Sequence, residues 1–83
     1  MQVTVISPEA SVYQGDAESV IAPAYDGQIG ILEHHAPLMT LLGTGTLTVK
    51  HQGKEHRFTV QGGFLQVVSN RVRVVAERVS ATS

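Results

Sequence analysis

Glu33, His34 and His35 stand side by side within DGQIGILEHHAPLMTLLGTGTL, Asp26 to Leu47, and carboxylate and imidazole are ready ligands for a divalent metal. Neighbouring residues on a strand point to opposite faces, so His34 and His35 can share an ion only from a loop. No second ligand group stands at a recognised zinc spacing such as HExxH. The competing reading leaves one histidine exposed and the other packed or hydrogen-bonded at an interface. Asp16 and Glu18 are two apart and on a strand would share a face, as paired acid–base carboxylates do. Beside Gly15 they read equally as turn residues that meet water. No GxSxG elbow is present, and no serine is placed against a histidine as a nucleophile requires. GTGT, Gly43 to Thr46, lacks the loop length and the lysine of a phosphate-binding loop, and no helix follows it. The absence of cysteine excludes disulfides, thiolate catalysis and cysteine-ligated zinc. None of these groups amounts to a catalytic constellation.

The elements that must position them are strands. Val3 and Val5 alternate in QVTVI, and DAESVIAPA is a further extended piece that Pro23 ends or places at an edge. TGTLTVK sets Thr44, Thr46 and Thr48 opposite Leu47 and Val49. KEHRFTVQ sets Phe58 and Val60 opposite Arg57, Thr59 and Gln61. HQG, ending at Gly53, makes a short hairpin loop, and Ser69 and Asn70 join GGFLQVV to RVRVVAE in another. There Val72 and Val74 lie opposite Arg71 and Arg73. Pro37 biases Ala36 toward extended geometry, so HAPLMTLL reads as a turn entering a strand. Gly27, Gly30, Gly43 and Gly45 suit turns or close approach between sheets, and Gly62 and Gly63 mark a bulge or a backbone contact. The tail RVSATS loses alternation and reads as a frayed end. The pattern predicts about ten short strands in a small two-layer β-sandwich or flattened barrel, with no amphipathic helix.

With 83 residues the chain has room for one core, read as a single domain over residues 1–83. Aromatic residues make up only 5%, so that core must be aliphatic. Six Lys and Arg against seven Asp and Glu give a net charge of −1, without the concentrated basic face that nucleic acid demands. The N-terminal residues lack the cationic cap and apolar run of a secretory signal, and no stretch nears the roughly 18 apolar residues of a bilayer span. Any contact with a membrane is expected to pass through another protein. Ile29, Ile31, Leu32, Leu38, Met39, Leu41 and Leu42 crowd into 14 residues. A sandwich this small buries about half of such a run, and the rest forms a patch that a partner would cover. The composition favours a binding body over an enzyme.

DGQIGILEHHAPLMTLLGTGTLTV, followed by FTVQGGFLQVVSNRVRVVAE, closely resembles the epsilon subunit family of bacterial and chloroplast F-type ATP synthases. One motif, G-x-x-G-I/V-L and then H-A-P-L, falls on Gly27, Gly30, Ile31, Leu32, His35, Ala36, Pro37 and Leu38. A second, G-G-F/I-L-x-V, falls on Gly62, Gly63, Phe64, Leu65 and Val67. VTVISPEASVYQGDAESVIAP fits the family's first hairpin.

The resemblance implies a β-sandwich at the foot of the central stalk, peripheral to the cytoplasmic face of a bacterial membrane as part of the F1 sector. It implies the gamma subunit and the c-ring as partners, no cofactor and no covalent chemistry. By position, Asp26, Gly27 and Gln28 would meet the c-ring loops, with Gln28 standing where some relatives carry glutamate. Ser7, His35 and Thr40 fall where the family faces gamma, and His34 at a variable position. Longer relatives continue into a helical hairpin that can inhibit hydrolysis and in some binds ATP. The sequence ends at Ser83, so neither an inhibitory arm nor an ATP site is expected within it. The alternative reading is a small metal-dependent sandwich protein using Glu33, His34 and His35.

Overall fold

The structure, a computed structural model, describes residues 1–82. Eight strands follow one another: β1 (Gln2–Ile6), β2 (Ser11–Asp16), β3 (Ser19–Ala24), β4 (Gly27–Leu32), β5 (Leu38–Leu41), β6 (Thr44–His51), β7 (Lys54–Val68) and β8 (Arg71–Thr82). Hydrogen bonding links them in the order β2-β1-β8-β7-β6-β3-β4, with β5 joined to β7 beside that path. Among the described residues only the β1–β8 pairing is parallel.

The long β7–β8 ribbon makes this one hydrogen-bonded path into two layers. Residues 54–61 of β7 are β6's partners, whereas residues 64–67 are β5's. One layer is therefore β2-β1-β8-β7-β5, and the other is β8-β7-β6-β3-β4. At the crossing the inward positions change parity. Phe58 and Val60 are buried before it, and Leu65 and Val67 after it. Gly62 and Gly63 allow the change, at φ +67° and +99°. The pairing runs on from Gln61↔Arg78 to Gly63↔Ala76, so both strands turn the corner together.

Between the layers lies an aliphatic core. Val3, Val5, Val20, Ile31, Leu47, Val49, Val60, Leu65, Val67, Val72 and Val74 are all essentially sealed from solvent. These are the alternate positions of each strand, and branched side chains suit a pleated surface buried on one side. Each such burial stabilises the fold by roughly 1.5–3 kcal/mol relative to leaving the side chain in water.

Two sequence expectations need correcting. The strands number eight rather than about ten among the described residues, because the glycine pair bends β7 without ending it, and β8 likewise spans both layers. The tail is not frayed through Thr82. Val79 and Ala81 lie opposite Val60 and Phe58, and β8 closes the second layer's edge. For Pro23 the edge placement is the outcome: β3 continues past it, paired with β4 as far as Ala24. Pairing with β6 stops at Ile21, and the Pro23 carbonyl instead accepts a bond from the Gly43 amide. Both expected hairpin loops are present. Gln52–Gly53 and Ser69–Asn70 each hold two positive-φ residues between paired strand ends, the geometry that matches strand twist.

Candidate functional site

The would-be metal ligands point to separate tasks. Glu33 accepts a 2.9 Å bond from the Met1 ammonium, which also donates to the Ala17 carbonyl at 3.0 Å. His34 sits at φ +64°, and its amide donates to Asn70 Oδ1 at 2.8 Å. His35 Nδ1 lies 2.7 Å from the Ala36 carbonyl oxygen. Among the described residues no three acidic or histidine side chains converge as a metal site would require. Asp16 and Glu18 also separate. Asp16 accepts from Gln2 Nε2 at 2.6 Å, and Glu18 from the Gln52 amide at 2.8 Å. The GTGT segment leads into β6, and its first amide is spent on Pro23.

The ammonium beside Glu33, first by hydrogen bond and then by charge, holds this carboxyl below the ordinary glutamate range. A carboxyl lowered on folding stabilises the native state above its unfolded pKa, and that contribution fades as pH falls through the folded value. Glu33→Gln is thus expected to be less stable than the parent at neutral pH, with the gap closing as acid takes the carboxyl through its lowered folded pKa. Urea midpoints across that range measure it. A gap independent of pH would mean that Glu33 acts through packing.

What the fold builds instead is two unlike outer faces. Directly paired residues share a face, so the registers lay out each one. On the β6 side, Thr46, Thr59 and Ser80 line up in one row, and Thr44, Gln61 and Arg78 in the next. Arg57 is ion-paired there with Glu55 at 2.6 Å. Ile21 and, at the β4 edge, Leu32 are the exposed apolar side chains of this face, and the rows between β6 and β8 are polar.

On the β5 side, Leu41, Phe64, Val75 and Ile6 form an apolar row across four strands. Beside it runs Met39, Gln66, Arg73, Thr4 and Gln14, and beyond that Val68, Arg71, Gln2 and Asp16. Met39 and Leu41 are 62% and 61% exposed, more than a side chain of that size gains from in a finished surface. Of the seven crowded apolar residues, Ile31 and Leu42 are buried, Ile29 and Leu38 pack on the core, and Leu32, Met39 and Leu41 remain out.

Thr40 lies between Met39 and Leu41, although its register partner is the buried Leu65. Ser7 follows Ile6 and is itself 8% exposed, its hydroxyl bonded within the 7–10 turn to both the amide and the carbonyl of Ala10. His35 is half-exposed just beyond the other end of β5. The Tyr25–Asp26 loop and the start of β4 leave Asp26, Gly27 and Gln28 exposed. Gly27, at φ +132°, takes a conformation that side-chain-bearing residues avoid. The Tyr25 amide donates to the Leu41 carbonyl at 3.0 Å, so this tip abuts the apolar row. Gly30 lies open within β4, and Ala36 and Pro37 form the exposed approach to β5. Val75 and Ile6 were not singled out from sequence, and Phe64 only as a motif residue. Each is one apolar residue on a separate strand, and only the registers gather them.

Residues 1–82 match the family described as ATP synthase, Delta/Epsilon chain, beta-sandwich domain. A protein of Synechococcus sp. named ATP synthase epsilon chain is 45% identical over 78 residues, covering 94% of this chain and 57% of the relative. One of the same name from Desulforamulus reducens is 41% identical over 76 residues, 92% of this chain and 58% of the relative. Another, from Frankia casuarinae, is 41% identical over 83 residues, 99% of this chain and 98% of the relative. The chain thus spans little more than half of the first two. Among solved structures, a chain of the Euglena gracilis mitochondrial ATP synthase (OSCP/F1/c-ring) superposes with TM-score 0.89 at 21% identity, over 95% of this chain and 51% of that one. One from the Tetrahymena thermophila mitochondrial ATP synthase (central stalk/c-ring) gives 0.81 at 16% identity, over 95% and 64%. Those two likenesses establish the fold.

Proposed function

This chain belongs to the ATP synthase delta/epsilon family through its β-sandwich domain, and from that premise we propose that it is a non-catalytic rotor subunit of an F-type ATP synthase. It fastens the gamma subunit to the c-ring, so that ion translocation and ATP synthesis or hydrolysis stay coupled. Its place is the F1 sector on the cytoplasmic face of a bacterial membrane. The observation that carries the reading is the apolar row Leu41, Phe64, Val75 and Ile6, continuous across four strands of one outer face. A row spanning four strands is a firm platform, because ladder hydrogen bonds fix its side chains relative to one another.

Gamma covers that row, with Ser7, Thr40 and His35 at its margins. Ser7 contributes by shaping the 7–10 turn rather than through a free hydroxyl. Asp26, Gly27 and Gln28 rest on the polar loops of the c-ring, Gln28 through its amide. The proportions suit a coupling part. A charge crossing the membrane delivers about 2.3 kcal/mol per 100 mV, while a nanomolar contact is worth roughly 12 kcal/mol. Such a joint outlasts the load of single steps.

The test is assembly in two stages. The purified chain should form a stable complex with gamma, and that pair should bind a detergent-solubilised c-ring. Gln28→Ala, at an exposed tip, should change stability by no more than about 0.5 kcal/mol and weaken only the ring stage. A chain that gamma does not retain would sink the reading.

A further inference from the structure

Arg71 and Arg73 project from the same outer face as the apolar row, and neither has an ion-pair partner among the described residues. Their neighbours by register are uncharged: Gln2 and Val68 flank Arg71, and Thr4 and Gln66 flank Arg73. Shallow depressions lie on both sides of the pair. Gln2, Thr4 and Gln14 line one, and Gln66, Val68 and Ser69 the other. Of the carboxylates on this side, Asp16 lies one strand further out and is taken up by Gln2, and Glu77 stands past Val75 over Gly62, at the end of β8's ladder away from Arg71. The other outer face carries Arg57, given a carboxylate at 2.6 Å, and Arg78, which stands apart from it near the corner without an ion-pair partner among the described residues.

We propose that Arg71 and Arg73 form an electrostatic extension of the apolar row that receives an acidic segment of the same partner protein. The proposal rests on the reading of gamma as that partner. Residues two apart on a strand are roughly 7 Å apart, so Val75, Arg73 and Arg71 form an even ladder along β8. A segment lying along it meets an apolar contact first and then two cations. Its complement is an apolar side chain followed by Asp or Glu at about 7 and 14 Å. Guanidinium groups suit this task because their planar forks bind carboxylates with two parallel bonds. Apolar contact supplies affinity, and the cations select register and speed the encounter.

The experiment is titration of the intact chain with gamma at several salt concentrations. Arg71→Gln/Arg73→Gln should weaken binding at least about tenfold at low salt and flatten its salt dependence. Arg57→Gln/Arg78→Gln, which removes the same charge from the opposite face, should leave affinity within about twofold, with melting temperatures checking every fold. Equal losses from both pairs would mean that net charge alone matters, and the proposal fails. It fails also if the Arg71/Arg73 variant holds gamma normally but loses binding to anionic phospholipid vesicles, which would assign the arginines to a membrane. A parent chain that does not bind gamma at all overturns the functional reading together with this one.

Discussion

Gly63→Ala is expected to destabilise the fold by about 3–5 kcal/mol, the range reached when a strained backbone also meets an immovable neighbour. A β-carbon at Gly63 would stand 1.9 Å from the Val75 carbonyl oxygen and 2.7 Å from the Ala76 α-carbon. Both are backbone atoms of the strand with which it pairs, so relief requires opening the corner of the ribbon. For a domain of this size the melting temperature should fall by roughly 15–30 °C. Gly62→Ala supplies the internal comparison. Its φ of +67° is similarly unfavourable, but the added carbon meets the Glu77 carboxylate end, which can swing aside. That variant should lose only about 1–2 kcal/mol. Far-UV circular dichroism of thermal unfolding reads both, and equal losses would refute the steric account of the corner.

The second large effect concerns assembly. Met39→Asp/Leu41→Asp should reduce affinity for gamma by at least about a hundredfold, since central apolar anchors of an interface cost 2 kcal/mol or more when lost. Both side chains are largely in water in the free chain, so stability should fall by no more than about 1 kcal/mol, mostly from strand propensity. Ile21→Asp, on the opposite face, should bind gamma like the parent. A double variant that still captures gamma tightly would remove the apolar row from the interface.

Much of this arrangement was legible in the residues, because burial on one side of a strand writes a period of two. QVTVI, TGTLTVK and RVRVV each show which face is inward, and the structure buries Val3, Val5, Leu47, Val49, Val72 and Val74 accordingly. The crossing was not legible. Two glycines resemble a break between strands, and the change of inward parity they permit disguises Val79 and Ala81 as the residues of a loose end. β2 was also faint, since SVYQGD at a sheet margin buries little and alternates weakly. For the site, DGQ announced an exposed tip and the crowded apolar run announced an uncovered patch. The Met1–Glu33 contact joins residues 32 apart and leaves no local trace. The row across β5, β7, β8 and β1 was invisible for a related reason: its members are ordinary singly, and their adjacency is a property of register.

The parallel pairing of β1 with β8 also governs how the molecule comes into being. Val3 and Val5 acquire their neighbours Val72 and Val74 only once the chain has left the ribosome through β8, about 70 residues later. Until then the β1–β2 hairpin can form but has no layer to join, and a two-stranded ribbon alone is marginal in water. Closing so long a loop costs entropy before any contact repays it, which places the molecule among slow, high-contact-order folders. A nascent chain stalled before Arg71 would hold its valines open to solvent, and that interval is when chaperones have most to protect.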